Sequence, residues 1–123
     1  MEIIYVPFTC NILTVGHIKL LQKLLTKGEV VVGVLTDKAL KGYKKVRMPF
    51  KDRFFILNEL YIACDLRIVS QETLDPSHNL KKYKCTILAS GDGFEQSEKE
   101  ACKKLGVKLL AVKSGEKLHS SDI

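Results

Sequence analysis

Thr14-Val15-Gly16-His17 follows a short apolar run and opens an amphipathic stretch, the place where a strand would hand over to a helix. A helix N-terminus offers unpaired backbone N–H groups and the positive end of the helix dipole, so it favours a phosphate. Gly16 would let that phosphate approach the backbone, and His17 can donate a hydrogen bond to it. The competing reading of a lone Gly-His pair is a histidine that merely starts a helix. Two better-defined phosphate loops are absent. Gly28 and Gly33 have the Walker A separation, but Val34 stands where lysine is required. Gly91-x-Gly93 has Gln96 where a dinucleotide fingerprint needs a third glycine.

The elements that would position this motif alternate between strands and helices. Ile3 to Phe8 reads as a first strand. His17 to Lys27 predicts a helix with Ile18, Leu21, Leu24 and Leu25 on one face and Gly28 at the C-cap. Glu29 to Thr36 is almost wholly apolar, as expected for a parallel strand buried on both faces. The basic stretch from Ala39 to Arg53 predicts a loop feeding a helix, with Pro49 in its first turn and Phe50, Phe54, Leu57 and Tyr61 on one face. Strands follow at Asp65 to Ser70, Cys85 to Ala89 and Val107 to Lys113. Between them lie a short helix at Ser77 to Lys82 and a longer one at Glu95 to Leu105, stopped by Gly106. This order predicts one domain over residues 1–123. Its class is α/β: a Rossmann-like, doubly wound, five-stranded parallel sheet with helices on both faces. Such sheets bind ligands beyond the carboxyl ends of their strands. The informative loops are then Thr9 to Gly16, Asp37 to Arg47, Ser90 to Phe94 and Ser114 to Ser121.

With 123 residues, 46% apolar and 28% charged, the chain has the composition of a folded globular domain. No apolar run is long enough to span a membrane. The start lacks the basic n-region and cleavage site of a secretory signal, so a cytoplasmic setting is expected. The net charge of +6 favours anionic partners. Cys10, Cys64, Cys85 and Cys102 form no Cys-x-x-Cys pair and fall in or beside apolar stretches, which predicts reduced, mostly buried thiols and no zinc site.

Several segments together resemble the small cytidylyltransferases of the nucleotidyltransferase superfamily. They are Gly16-His17-Ile18-Lys19-Leu20-Leu21, Gly28 to Leu40 (GEVVVGVLTDKAL), Lys44 with Arg53, Asp65, Ser70 to Asp75 (SQETLD) and Gly91-Asp92. The chain is similar to the glycerol-3-phosphate cytidylyltransferases, and most similar to the nucleotidyltransferase domains found with phosphonate-biosynthesis enzymes. The resemblance implies transfer of CMP from CTP to a small phosphate- or phosphonate-bearing acceptor, with pyrophosphate released and Mg²⁺ accompanying the triphosphate. It implies that His17, Lys44 and Thr14 act at the reacting phosphates. It also implies that Thr9, Asn11, Gly16, Arg53, Gly91, Asp92, Ser120 and Ser121 surround the nucleotide. A homodimer accords with the habit of the family; a membrane partner does not, and nucleic acid is not expected.

The chain also departs from the family pattern. The family motif is His-x-Gly-His, and its first histidine is Thr14 here. Asn11 stands where aspartate is usual, Gly93 where a second acidic residue is usual, and Lys117 to Ser121 replaces a Gly-Ile-Ser-Thr-Thr segment. These changes leave a second reading open, a nucleotide-binding module with impaired catalysis. A nucleic-acid-binding domain built on Lys41 to Arg53 is the other alternative. Only Tyr43 and Phe50 interleave that run, and no RNA-binding sheet motif accompanies it. Asp37 and Asp65 read as caps or structural acceptors, and His78 and His119 as exposed.

Overall fold

The computed structural model describes residues 2–8, 15–41, 48–61, 66–91 and 93–112. Five strands form one parallel sheet: β1 (Ile3–Phe8), β2 (Glu29–Leu35), β3 (Leu66–Gln71), β4 (Ile87–Ser90) and β5 (Lys108–Ala111). Their spatial order is β3-β2-β1-β4-β5, the doubly wound arrangement expected from the sequence. The helices are α1 (Val15–Leu25), α2 (Asp37–Leu40), α3 (Phe50–Tyr61), α4 (Ser77–Lys82) and α5 (Gln96–Leu105).

Alternation along the two innermost strands builds a core on each face. Ile4, Val6 and Phe8 of β1 and Val30, Val32 and Val34 of β2 pack with Leu20, Leu21 and Leu24 of α1 and Leu57 of α3. Tyr5 and Val31 point the other way, where they meet Leu80 of α4 and Ala101 and Cys102 of α5. Strand β2 is therefore buried on both faces, as its sequence predicts.

Some boundaries differ from the sequence reading. Helix α1 starts at Val15, so Gly16 and His17 lie within its first turn. Gly28 does not have the positive φ of a C-cap. It is glycine because a Cβ there would collide with the Glu2 carbonyl, which receives the Glu29 N–H at 3.0 Å. The stretch after β2, read as loop, begins with the one-turn helix α2. Thr36 caps it, its hydroxyl accepting from the Ala39 N–H at 3.2 Å. Strands β3 and β4 sit one to two residues later than expected, and β5 is shorter. Gly106 does cap α5, at φ 71°.

Two buried polar assemblies tie the carboxyl half of the sheet together. In the first, Tyr5 of β1 reaches across β2 to donate to Gln71 Oε1 of β3 at 2.6 Å, and it accepts from Asn79 Nδ2 of α4 at 2.8 Å. Any side chain at Gly33, in the strand between, would strike the Tyr5 ring and hydroxyl. Gln71 Nε2 in turn donates to the Thr73 and Leu74 carbonyls, which shapes the turn before α4. Burial pushes the Tyr5 hydroxyl far above its ordinary pKa, so it remains a neutral donor.

The second assembly centres on Arg53, the largest side chain in the fully buried set. Its Nε donates to the Met48 carbonyl at 3.0 Å, and its terminal nitrogens donate to the Leu35 carbonyl at 2.8 Å and to Asp37 Oδ1 at 2.7 Å. Asp37 is half-exposed and also accepts the Phe50 N–H at 3.0 Å, capping α3 from a distance. That backbone bond, then the Arg53 guanidinium, holds the Asp37 carboxyl below its usual range.

Two stability predictions follow from these contacts. Tyr5→Phe strands the Gln71 oxygen and removes a partner of Asn79, and it should cost about 1–3 kcal/mol in urea unfolding. An unchanged midpoint would remove the hydroxyl from any role in the fold. The depressed Asp37 pKa contributes stability that is complete above the unfolded value of about 3.9 and is lost as pH falls through the lower folded value. Asp37→Asn should therefore be less stable than the wild type at pH 7, with the gap narrowing toward pH 2–3. A gap that stays constant with pH would contradict the ion pair.

Candidate functional site

Strand order reverses between β1 and β4, and the two strands part company there. β1 pairs with β2 over its whole length, through Phe8↔Val34. It pairs with β4 only at Ile4↔Ile87 and Tyr5↔Leu88. The cause is Pro7. The Ile3 carbonyl accepts the Thr86 N–H at 2.8 Å, so the odd residues of β1 direct their backbone groups toward β4. Pro7 is odd and has no N–H to give. The β1–β4 ladder stops before it, while β4 continues along β5 through Ser90↔Ala111. β1 and β4 thus separate toward the carboxyl edge, and sheets of this winding take their ligands in the crevice at such a point.

Both sides of this crevice carry residues singled out from the sequence. Gly16 is buried in the first turn of α1, and His17 is half-buried beside it. The His17 ring packs on Phe8, the last residue of β1, with centroids 5.1 Å apart and planes inclined at 51°. On the opposite side, Gly91 follows β4 directly. A Cβ placed on Gly91 would contact Leu20 Cδ2 at 3.5 Å, so this loop runs against α1 one turn below His17. The Ser90 hydroxyl donates to the Gly93 carbonyl, and Gly93 has φ 107°, a conformation that favours glycine.

The first turns of α1 and α4 contain no acidic residue of their own. The N-terminal groups of α3 and α4 are met by Asp37 and Asp75, which accept from Phe50 and Ser77. α2 has Asp37 itself in its first turn, and α5 has a Glu95–Glu98 capping box. The positive end of α1 thus meets no carboxylate from its own first turn, and it lies at the crevice.

Arg53 is 1% exposed, and its guanidinium donates to Asp37 and to the Leu35 and Met48 carbonyls. Asp37 is the structural acceptor expected of it, and His78 is exposed. Thr9, Asn11, Thr14, Lys44, Asp65, Asp92, His119, Ser120, Ser121, Cys10 and Cys64 lie outside the described residues. Neither Cys85 nor Cys102 is in a disulfide. Burial raises both thiols to about 11, so neither is a nucleophile at neutral pH. Among the described residues no group of three or more His, Cys, Asp or Glu side chains could hold a metal ion. No helix among them is long and apolar enough to cross a membrane. Sequence reasoning missed the roles of Pro7 and of the Tyr5–Gln71–Asn79 assembly. A proline in a central strand and a glycine among valines were the available signals.

Comparisons with known proteins agree with this geometry. A family model described as cytidylyltransferase-like matches residues 8–122. A crystal structure described as a lipopolysaccharide core biosynthesis protein from Thermoplasma volcanium GSS1 superposes with TM-score 0.76 at 25% identity, covering 92% of this chain and 97% of that one. A protein of unknown function from Archaeoglobus fulgidus shares the fold with TM-score 0.75 at 16% identity, covering 97% of this chain and 94% of its own. Among curated proteins there is no significant match. The family model covers most of the chain, and the fold accords with it: the chain belongs to the cytidylyltransferase-like family.

Proposed function

We propose that this chain is a nucleotidyltransferase that moves CMP from CTP to a small phosphate- or phosphonate-bearing acceptor and releases pyrophosphate. The observation that carries the reading is the carboxylate-free first turn of α1, with Gly16 and His17 in it, at the crevice opened by Pro7. In this reaction an acceptor oxygen attacks the α-phosphorus and the bond to the pyrophosphate oxygen breaks. No covalent enzyme intermediate is required. The protein's work is to align the phosphates and stabilise their charge.

The α1 backbone N–H groups and the His17 ring would receive the phosphates. Gly91 keeps the opposite wall free of a side chain. Lys44 and the hydroxyls of Thr9, Thr14, Ser120 and Ser121 are proposed as further donors to the triphosphate, with Asn11 and Asp92 near the nucleoside. The donor set consists of amides, an imidazole, hydroxyls and a lysine, which suits phosphate oxygens better than a bare cation. Mg²⁺ would arrive on the triphosphate, where it neutralises phosphate charge. The free buried thiols Cys85 and Cys102 suit a reducing cytoplasm.

Thr14 supports a second reading, a nucleotide-binding module with little turnover. A hydroxyl can bond a phosphate, but it carries no charge, and charge-assisted bonds are about twice as strong as neutral ones. Losing one such donor in a transition state typically costs about 10²–10³ in rate.

Thermal shift measurements with CTP, ATP, GTP and UTP, each with Mg²⁺, test the binding. CTP should raise the unfolding temperature selectively, and His17→Ala should abolish the rise; no shift with any nucleotide would overturn the assignment. Pyrophosphate release with phosphate and phosphonate acceptors then separates the two readings. The enzyme should turn over CTP, with His17→Ala slower by about 10²–10³. Binding with no release for any acceptor would establish the module instead.

A further inference from the structure

Phe8 ends β1, and its ring joins the central strand to the first turn of α1. Its backbone is fixed by pairing with Val34 of β2. Its side chain is 6% exposed and belongs to the core cluster that includes Leu20 and Leu21 of α1. The His17 ring lies against it, with centroids 5.1 Å apart and planes inclined at 51°. That spacing and tilt fall in the range aromatic pairs favour. An imidazole presents its N–H bonds and lone pairs in the plane of its ring. The last torsion of a histidine side chain is broad, so the backbone of α1 alone does not fix that plane. A buried phenyl ring anchored in the sheet restricts it. Phenyl has no strong hydrogen-bonding group, so this contact engages neither imidazole nitrogen.

We propose that Phe8 is a positioning residue for phosphate binding: its ring sets the plane of the His17 imidazole and so the direction in which His17 donates. It touches no ligand and acts through His17. The proposal rests on the nucleotide reading above. The benefit is preorganisation, because freedom of the imidazole is given up on folding rather than on binding. A purely structural Phe8 would alter stability and leave the affinity as it was.

The test uses the full chain and the variant Phe8→Leu, which stays apolar but has no ring. Proton NMR reads the imidazole directly. The chain has three histidines, and the His17 resonances are identified by their loss in His17→Ala. In the wild type they should show an Overhauser contact with the Phe8 ring. In Phe8→Leu they should move toward those of the exposed His78. Calorimetry with CTP and Mg²⁺ reads the consequence. Phe8→Leu should bind about three- to tenfold more weakly, the size of one aromatic pair. Tyr5→Phe serves as the stability control in the same strand and should keep the wild-type affinity. Absence of the Overhauser contact in the wild type overturns the proposal, whether or not Phe8→Leu folds. So do His17 resonances unmoved in Phe8→Leu, or an equal loss of affinity in Tyr5→Phe. If the wild type binds CTP and Phe8→Leu binds it within twofold, the nucleotide reading stands and this proposal fails. Inorganic tripolyphosphate is the second probe. If the wild type binds tripolyphosphate but not CTP, the nucleotide reading fails, and the same comparison made with tripolyphosphate decides the role of Phe8. Binding of neither overturns both.

Discussion

Ile4, Tyr5, Val6 and Phe8 of β1 are all buried, and the architecture depends on how that burial is achieved. A strand with no solvent face needs a neighbour at each edge and a layer over each side. β2 and β4 supply the edges. α1 and α3 cover one side, α4 and α5 the other. The crossovers then run in opposite directions from β1, and strand order reverses beside it. The crevice at the carboxyl edge is therefore a consequence of winding the chain both ways from a central strand, before any residue in the crevice has been chosen.

Burial on both faces makes every polar group inside the sheet costly unless it is paired. The chain contains two such assemblies, and both join elements far apart in sequence. The Tyr5 hydroxyl connects β1, β3 and α4 across a glycine in β2. Arg53 connects β2, α2 and α3. Apolar packing alone would tolerate small slips of one layer over another. Hydrogen bonds of fixed length and direction tolerate far less, so these groups fix where the turns after β2 and β3 stand. The SQETLD segment is explained in these terms, since Gln71 bonds the carbonyls of Thr73 and Leu74, and Asp75 caps α4.

The strand–helix order, the parallel sheet and its winding were legible in the sequence because apolar periodicity reports burial directly. Ile3–Phe8 and Ser77–Lys82 agree to the residue. What was not legible depends on contacts between distant segments. Arg53 lies in a basic run, and only the fold brings Asp37 and the Leu35 carbonyl against it. Gly28 looks like a helix cap, and only the fold puts the Glu2 carbonyl over it. Gly16 and His17 were legible because their signal is local: they occupy the first turn of the helix that follows the first strand. A motif confined to one turn can be read from sequence, whereas a charge pair closed across sixteen residues cannot.

Pro7 unites the fold and the site in one residue. Proline is excluded from central strands because it interrupts a ladder. β1 is central, yet Pro7 falls where the lost N–H would have served only β4. On its other edge β1 still pairs with β2 through Phe8. One side of the strand stays closed while the other opens, and it opens on the side where strand order reverses. An ordinary residue at this position would supply the missing donor to β4. The proline ends that ladder at the cost of one hydrogen bond, about 0.5–1.5 kcal/mol in net stability.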